Sequence, residues 1–163
     1  MIKKLSKDYL FDAFSIIESV VSKMNNESIF QWDEHYPTRE IIEKDIVEGQ
    51  AFGFFHLDEL RGYIVLNEEY SPEYDSLEWN DKSGISLIVH RLSIKANCQG
   101  QGIAKQLMIF AEEYAKKNNY SSIKLDAFLH NKAALHLYEK SGYTKVGTVT
   151  FRKGEFNCYE KTI

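Results

Sequence analysis

The residues Gln99-Gly100-Gln101-Gly102-Ile103-Ala104 carry the clearest chemistry in this chain. They follow an apolar run, Ile85 to Ile94, and open an amphipathic run, Ile103 to Ala115. A strand, a glycine-bearing loop and a helix start in that order form an anion site. The first N–H groups of a helix lack intrahelical acceptors, and the helix dipole favours negative charge there. The glycines let the backbone approach a ligand closely. The spacing therefore points to a phosphate-bearing molecule. Two familiar versions of such a loop do not fit. A dinucleotide fingerprint needs a third glycine where Lys105 stands and an N-terminal βαβ unit, and a P-loop needs Gly-Lys-Ser/Thr.

The elements that must position this loop follow from periodicity. Ile2 to Leu5 reads as a short strand. Leu10, Phe14, Ile17, Val21 and Met24 fall on one helical face, which Asn25-Asn26 ends. Residues 29–37 form an aromatic loop closed by Pro37, and Thr38 caps a second helix through Val47, with Gly49 beyond it. Ala51–Leu57 and Leu60–Asn67 form a hairpin around Asp58-Glu59, and Glu68 to Ser83 is a polar, acidic connection. Gly84 to Ile94 is the longest strand. Ile85, Leu87 and Val89 keep one phase of alternation while Leu92 and Ile94 keep the other, so a β-bulge near His90-Arg91 competes with a strand buried on both faces. After the glycine loop come a helix stopped by Asn118-Asn119 and a strand, Ser122–Phe128. A short helix from Asn131 to Lys140 follows, with Gly142 past its end, then a hairpin of Tyr143–Phe151 and Phe156–Thr162. The order β-α-α-β-β-β-α-β-α-β-β is an α+β plan with a mixed sheet.

Composition narrows the function classes. A chain of 163 residues is most simply one domain, 1–163. A net charge of −4 disfavours nucleic acid and suits a cationic partner. Two cysteines, Cys98 and Cys158, with no CxxC pair, fit a reducing cytoplasm and no zinc site. No signal peptide or membrane-length apolar run is visible.

The segment His90 to Ala104 resembles the acyl-CoA-binding motif of the GNAT superfamily of N-acetyltransferases, Arg/Gln-x-x-Gly-x-Gly/Ala, matched by Gln99, Gly102 and Ala104. Downstream, His130-Asn131-Lys132-Ala133-Ala134-Leu135-His136-Leu137-Tyr138-Glu139-Lys140-Ser141-Gly142-Tyr143 looks like the second signature of that superfamily. The element order matches it from end to end. The resemblance implies the GNAT fold and an enzyme that moves an acetyl group from acetyl-CoA to a primary amine in a ternary complex. It implies no metal.

Carried over by resemblance, Gln99, Gly100, Gln101, Gly102, Ile103 and Ala104 cradle the CoA pyrophosphate. Leu92 and Ile94 offer backbone groups to the pantetheine arm, and the Leu92 N–H meets the thioester oxygen. Asn131 and Ala134 lie along the arm, Asn131 also serving as a helix cap. Tyr138 protonates the departing thiolate, the plain alternative being a core tyrosine. The glutamate that some members use as base aligns with Ile88, so His90 or a chain of waters is left for that role, ahead of Glu34 and His35. Phe30, Trp32 and Tyr36 form an acceptor wall or a buried staple. The acidic 68–83 connection steers a cationic amine or is a solvated hairpin, and Trp79 with Tyr70 and Tyr74 is a candidate homodimer contact. Expected partners are a small-molecule amine, no nucleic acid and no membrane. Two other readings stay open: an acyl-CoA sensor without chemistry, and an acetyltransferase of protein N-termini or lysines.

Overall fold

The computed structural model describes residues 1–82 and 84–163. Ser83, the last residue of the acidic connection, lies outside the described residues. The helices are α1 (Leu10–Asn26), α2 (Arg39–Val47), α3 (Ile103–Lys117) and α4 (Lys132–Lys140). The strands are β1 (Ile2–Lys4), β2 (Ala51–His56), β3 (Glu59–Asn67), β4 (Ser86–Ile94), β5 (Ser122–Phe128), β6 (Thr144–Phe151) and β7 (Gly154–Thr162). The expected α+β order is present, and the strands run β1-β2-β3-β4-β5-β7-β6. The sheet is mixed, since β4 pairs with β5 in parallel while β1–β2, β2–β3, β5–β7 and β6–β7 are antiparallel.

The chain divides into two compact units, Met1–Leu66 with His90–Phe110, and Asn67–Val89 with Ala111–Ile163. In the first unit, α1 and α2 close over β2 and β3. Ile16, Ile17, Ile42, Ala51, Tyr63 and Val65 are buried together there. Each buried isoleucine or valine among them contributes about 1.5–3 kcal/mol. The β2–β3 turn has the two residues expected but falls one position earlier, at Leu57-Asp58 instead of Asp58-Glu59. Leu57 and Asp58 both take left-handed φ, +48° and +62°, as a two-residue turn of the primed type requires. Gly62 in β3 makes room for the start of α3, because a Cβ there would lie 3.0 Å from both Ile103 and Leu107.

In the second unit, β7 lies between β5 and β6. The α4 helix ends at Ser141, whose carbonyl accepts from Lys161 of β7 (2.8 Å), and Tyr159 donates to Glu139 (3.0 Å). Gly142 then turns the chain at φ +84°, the left-handed position that helix ends favour. The 68–83 connection is not a solvated hairpin. It contains a 3-10 turn, Pro72–Ser76, and buries Tyr74 and Trp79, whose indole N–H donates to the Tyr74 carbonyl (2.8 Å).

Candidate active site

Strand β4 supplies the first part of the site. Its pairing with β5 runs through Ser86–Ile88. At Arg91 the strand backbone turns left-handed, φ +50°, where the alternation of apolar residues slips phase. A non-glycine residue in that region inside a strand costs about 1–2 kcal/mol and needs something to hold it. The holder is a bidentate ion pair. Arg91 Nε donates to Asp45 Oδ2 at 2.9 Å and Nη2 to Oδ1 at 2.5 Å, while Nη1 donates to the Tyr36 hydroxyl at 2.7 Å. Asp45, 3% exposed on the inner face of α2, also accepts from the Tyr63 hydroxyl at 2.8 Å. Burial pulls the Arg91 guanidinium down, but Tyr36 and Asp45 outweigh it and hold it above its ordinary value. Burial, then Asp45, pushes the Tyr63 phenol up. On either side of Arg91, His90 and Leu92 are half-buried, and Ile94 is buried.

After β4 a 3-10 turn, Ala96–Cys98, leads into an exposed loop, Gln99 to Gly102. Gly100 and Gly102 take φ +77° and +78°, and a Cβ on either would meet nothing within 4 Å. Glycine is required there by conformation, and the space beside both is open. The Gln99 side-chain amide donates back to the Ile94 carbonyl (3.2 Å), tying the loop to the strand end. The first helical bond of α3 runs from Gln106 N–H to the Gly102 carbonyl (3.1 Å), so the N–H groups of Ile103, Ala104 and Lys105 lie ahead of it. Gln101 is exposed in the same loop, Ile103 is buried, and Ala104 is half-buried. This arrangement suits a diphosphate: donors at a helix start and two bare glycines, with the exposed Gln101 between them.

The aromatic loop divides its rings. Trp32 is 8% exposed and joins the core of the first unit, so its face is not open to an acceptor cation. Phe30 is 56% exposed, and Tyr36 is anchored at the surface by Arg91. The staple alternative thus describes Trp32, while Phe30 and Tyr36 remain outward-facing. Glu34 and His35 are exposed and pair with each other.

The second unit carries the other motif. The Asn131 side chain accepts from Ala134 N–H at 3.2 Å, the N-cap of α4. Tyr138 is 6% exposed, with the rings of Tyr143 and Tyr159 around it at 6.1 and 5.9 Å. Burial, then Asp126 and Tyr159, push its phenol above the ordinary value, so it stays protonated at neutral pH. Asp126 on β5 accepts from the Tyr74 hydroxyl at 2.6 Å, and burial holds its carboxyl above the usual range despite that bond.

A cavity of about 440 Å³ opens in this unit beside Glu68, Tyr70, Asp75, Trp79 and Lys124. Tyr74 and Trp79 are packed within the unit, so of the three rings singled out as a dimer contact only Tyr70 is exposed.

Two groups escaped the sequence reading, Asp45 with Arg91 and Asp126 with Tyr74. A signal existed for the first. Asp45 interrupts the apolar face made by Ile42 and Ile46, and a carboxylate on a buried face needs a partner. Among the described residues no helix is long and apolar enough to cross a membrane.

Comparison with known proteins agrees with this architecture. A curated relative, streptothricin acetyltransferase of Escherichia coli, is 27% identical over 129 residues, 79% of this chain and 65% of the relative. An uncharacterized N-acetyltransferase of Lactobacillus delbrueckii subsp. lactis is 29% identical over 66% of this chain and 59% of its own length. The chain therefore spans less than two thirds of the length of these curated relatives. Among solved structures, a GNAT-family acetyltransferase from Streptococcus agalactiae superposes with a TM-score of 0.83 at 21% identity, covering 100% of this chain and 95% of that one. A PaiA N-acetyltransferase from Thermoplasma acidophilum, solved in complex with coenzyme A, gives 0.74 at 22% identity over 100% and 98% of the two chains. Both share this fold. The model of the acetyltransferase (GNAT) family matches residues 17–143, and on that match the chain belongs to this family.

Proposed function

We propose that this protein is an acetyl-CoA-dependent N-acetyltransferase whose acceptor is a small-molecule primary amine, residues 1–163 acting as one domain. The observation that carries the reading is the pair of left-handed glycines, Gly100 and Gly102, with open space beside them at the start of α3. The loop from Gln99 to Ala104 takes the CoA pyrophosphate through its N–H groups. The backbone of Leu92 and Ile94, with Asn131 and Ala134, takes the pantetheine arm.

The amine nitrogen attacks the thioester carbonyl carbon. An N–C bond forms, the C–S bond breaks, and the carbonyl oxygen carries negative charge in between, stabilised by the Leu92 N–H. The thiolate leaves with the Tyr138 proton. The nitrogen gives its own proton to His90, directly or through water. Neither cysteine takes part, and both are buried free thiols, in keeping with action in the cytoplasm.

The amine class rests on two features. The exposed rings of Phe30 and Tyr36 favour an acceptor with apolar surface. The acidic composition of the 68–82 segment favours a cationic one by long-range attraction, while in the second-unit cavity the Trp79 ring already carries Lys124 at 4.8 Å. The resemblance to a relative named streptothricin acetyltransferase supports a small-molecule acceptor.

Calorimetric titration with acetyl-CoA, followed by thiol release across polyamines, aryl amines, amino acids, aminoglycosides and short peptides, tests the proposal. We expect binding and turnover with one small-amine class. Binding without turnover across the panel turns the reading into an acyl-CoA sensor, which Ile88, 1% exposed at the position of the missing glutamate, would then explain. Turnover with peptides alone turns it into a protein acetyltransferase.

A further inference from the structure

The left-handed turn at Arg91 falls one residue before Leu92, whose N–H is the oxyanion donor in the reaction above. The direction of that N–H is set by the peptide plane between the two residues, and so by the backbone angles of Arg91. Returning Arg91 to the extended region, where any non-glycine residue would relax, swings this plane and points the N–H elsewhere. What prevents the relaxation is on α2. Both Asp45 oxygens accept from the Arg91 fork, and a fork-on-carboxylate pair fixes orientation as well as distance. Asp45 is itself fixed by the Tyr63 hydroxyl (2.8 Å). The third arm of the guanidinium holds Tyr36 of the aromatic loop.

We infer that Asp45 is a positioning residue for catalysis. Through Arg91 it locks the β4 backbone in the conformation that aims the Leu92 N–H, and through the same guanidinium it seats the Tyr36 side of the acceptor wall. The inference rests on the Leu92 role proposed above. It differs from a merely structural ion pair in one respect. A structural pair is indifferent to the backbone preference of residue 91, whereas a backbone lock is not.

The test compares Arg91→Gly with Arg91→Ala. Both lose the guanidinium and both leave Asp45 without it, but glycine adopts φ near +50° freely and alanine does not. The readout is the Leu92 amide proton shift by NMR in the CoA complex and in the acetyl-CoA complex, which differ by an acetyl group in place of the thiol hydrogen. In the parent protein we expect a downfield difference between the two complexes. Arg91→Gly should keep most of it, and Arg91→Ala and Asp45→Asn should lose it, with acetyl-CoA affinity changed less than threefold or so in all variants. If either single variant fails to fold, Asp45→Asn/Arg91→Gly against Asp45→Asn/Arg91→Ala repeats the comparison without a stranded carboxylate. Absence of the difference in the parent overturns the Leu92 role, and the inference with it. A difference present in the parent and equally kept in the alanine and glycine variants overturns the lock while leaving Leu92 in place.

Discussion

Tyr138 sits in a ring-lined setting whose burial raises its phenol. The hydroxyl is protonated at neutral pH but is a weaker acid than a free phenol, so the donor role proposed for Tyr138 must be tested by removing the hydroxyl. Its replacement by phenylalanine removes the hydroxyl and keeps the ring contacts with Tyr143 and Tyr159. We expect Tyr138→Phe to lower kcat by about 10²–10⁴-fold, the usual range for a lost acid, with acetyl-CoA affinity unchanged by calorimetry. Unchanged turnover would make Tyr138 a core residue only. His90 is tested differently, by a pH profile. If it accepts the amine proton, kcat/KM in the parent carries an acidic limb that disappears in His90→Ala. A limb that persists in the variant assigns the proton to another route. The same scale shows where sequence reading ends. Gln99, Gly100, Gly102 and Asn131 announce themselves because their types are demanded by backbone geometry that recurs wherever a loop meets a helix start. Asp45, Arg91 and Tyr36 come together from residues 55 or fewer positions apart in three elements, and no local pattern encodes that meeting.

At the scale of elements, nearly every helix and strand was legible. The capping oxygens of Thr38 and Asn131 accept from Ile41 and Ala134 as their positions predict, and the burial of one helical face in α1 follows its apolar spacing. The phase slip in β4 was readable as a choice between a bulge and a doubly buried strand, and the left-handed Arg91 resolves it toward a local break. The 68–83 connection was misread because its acids dominate the composition. Tyr74 and Trp79, spaced irregularly, are what bury it, and Glu160 of β7 accepts from the Asn80 N–H at 3.0 Å. The glycine loop offers the sharpest element-level prediction. Gly102→Ala places a side chain at φ +78°, which costs about 1 kcal/mol or more of stability, in space the protein itself leaves open. We expect a small drop in Tm but at least a tenfold rise in the acetyl-CoA Kd, measured by calorimetry. A variant with lower Tm and unchanged Kd would show that the loop only turns the chain.

For the whole molecule, several phenols buried in the native state respond to pH in one direction. Burial raises Tyr63, Tyr74 and Tyr138 above their ordinary values. In the unfolded chain each loses its proton near pH 10, whereas in the native state it keeps it. The stability they confer is therefore fully present below about pH 10 and is lost as pH rises toward the native values. We expect Tm by circular dichroism to hold steady from pH 7 to 9 on account of these groups and to fall steeply above about pH 10. A Tm independent of pH up to 11 would contradict the burial of these hydroxyls.

The strand order of the second unit bears on how the chain is made. β5 and β6 have ladders to β7, which follows both in sequence yet lies between them. During synthesis from the N-terminus, β5 waits with an open edge and β6 waits without its partner until residues 154–162 leave the ribosome. The first unit, whose last segment is complete at Phe110, has no such delay. A stalled or prematurely released chain thus presents the open edge of β5 and a β6 segment with no ladder, the kind of unpaired edge that other strands capture.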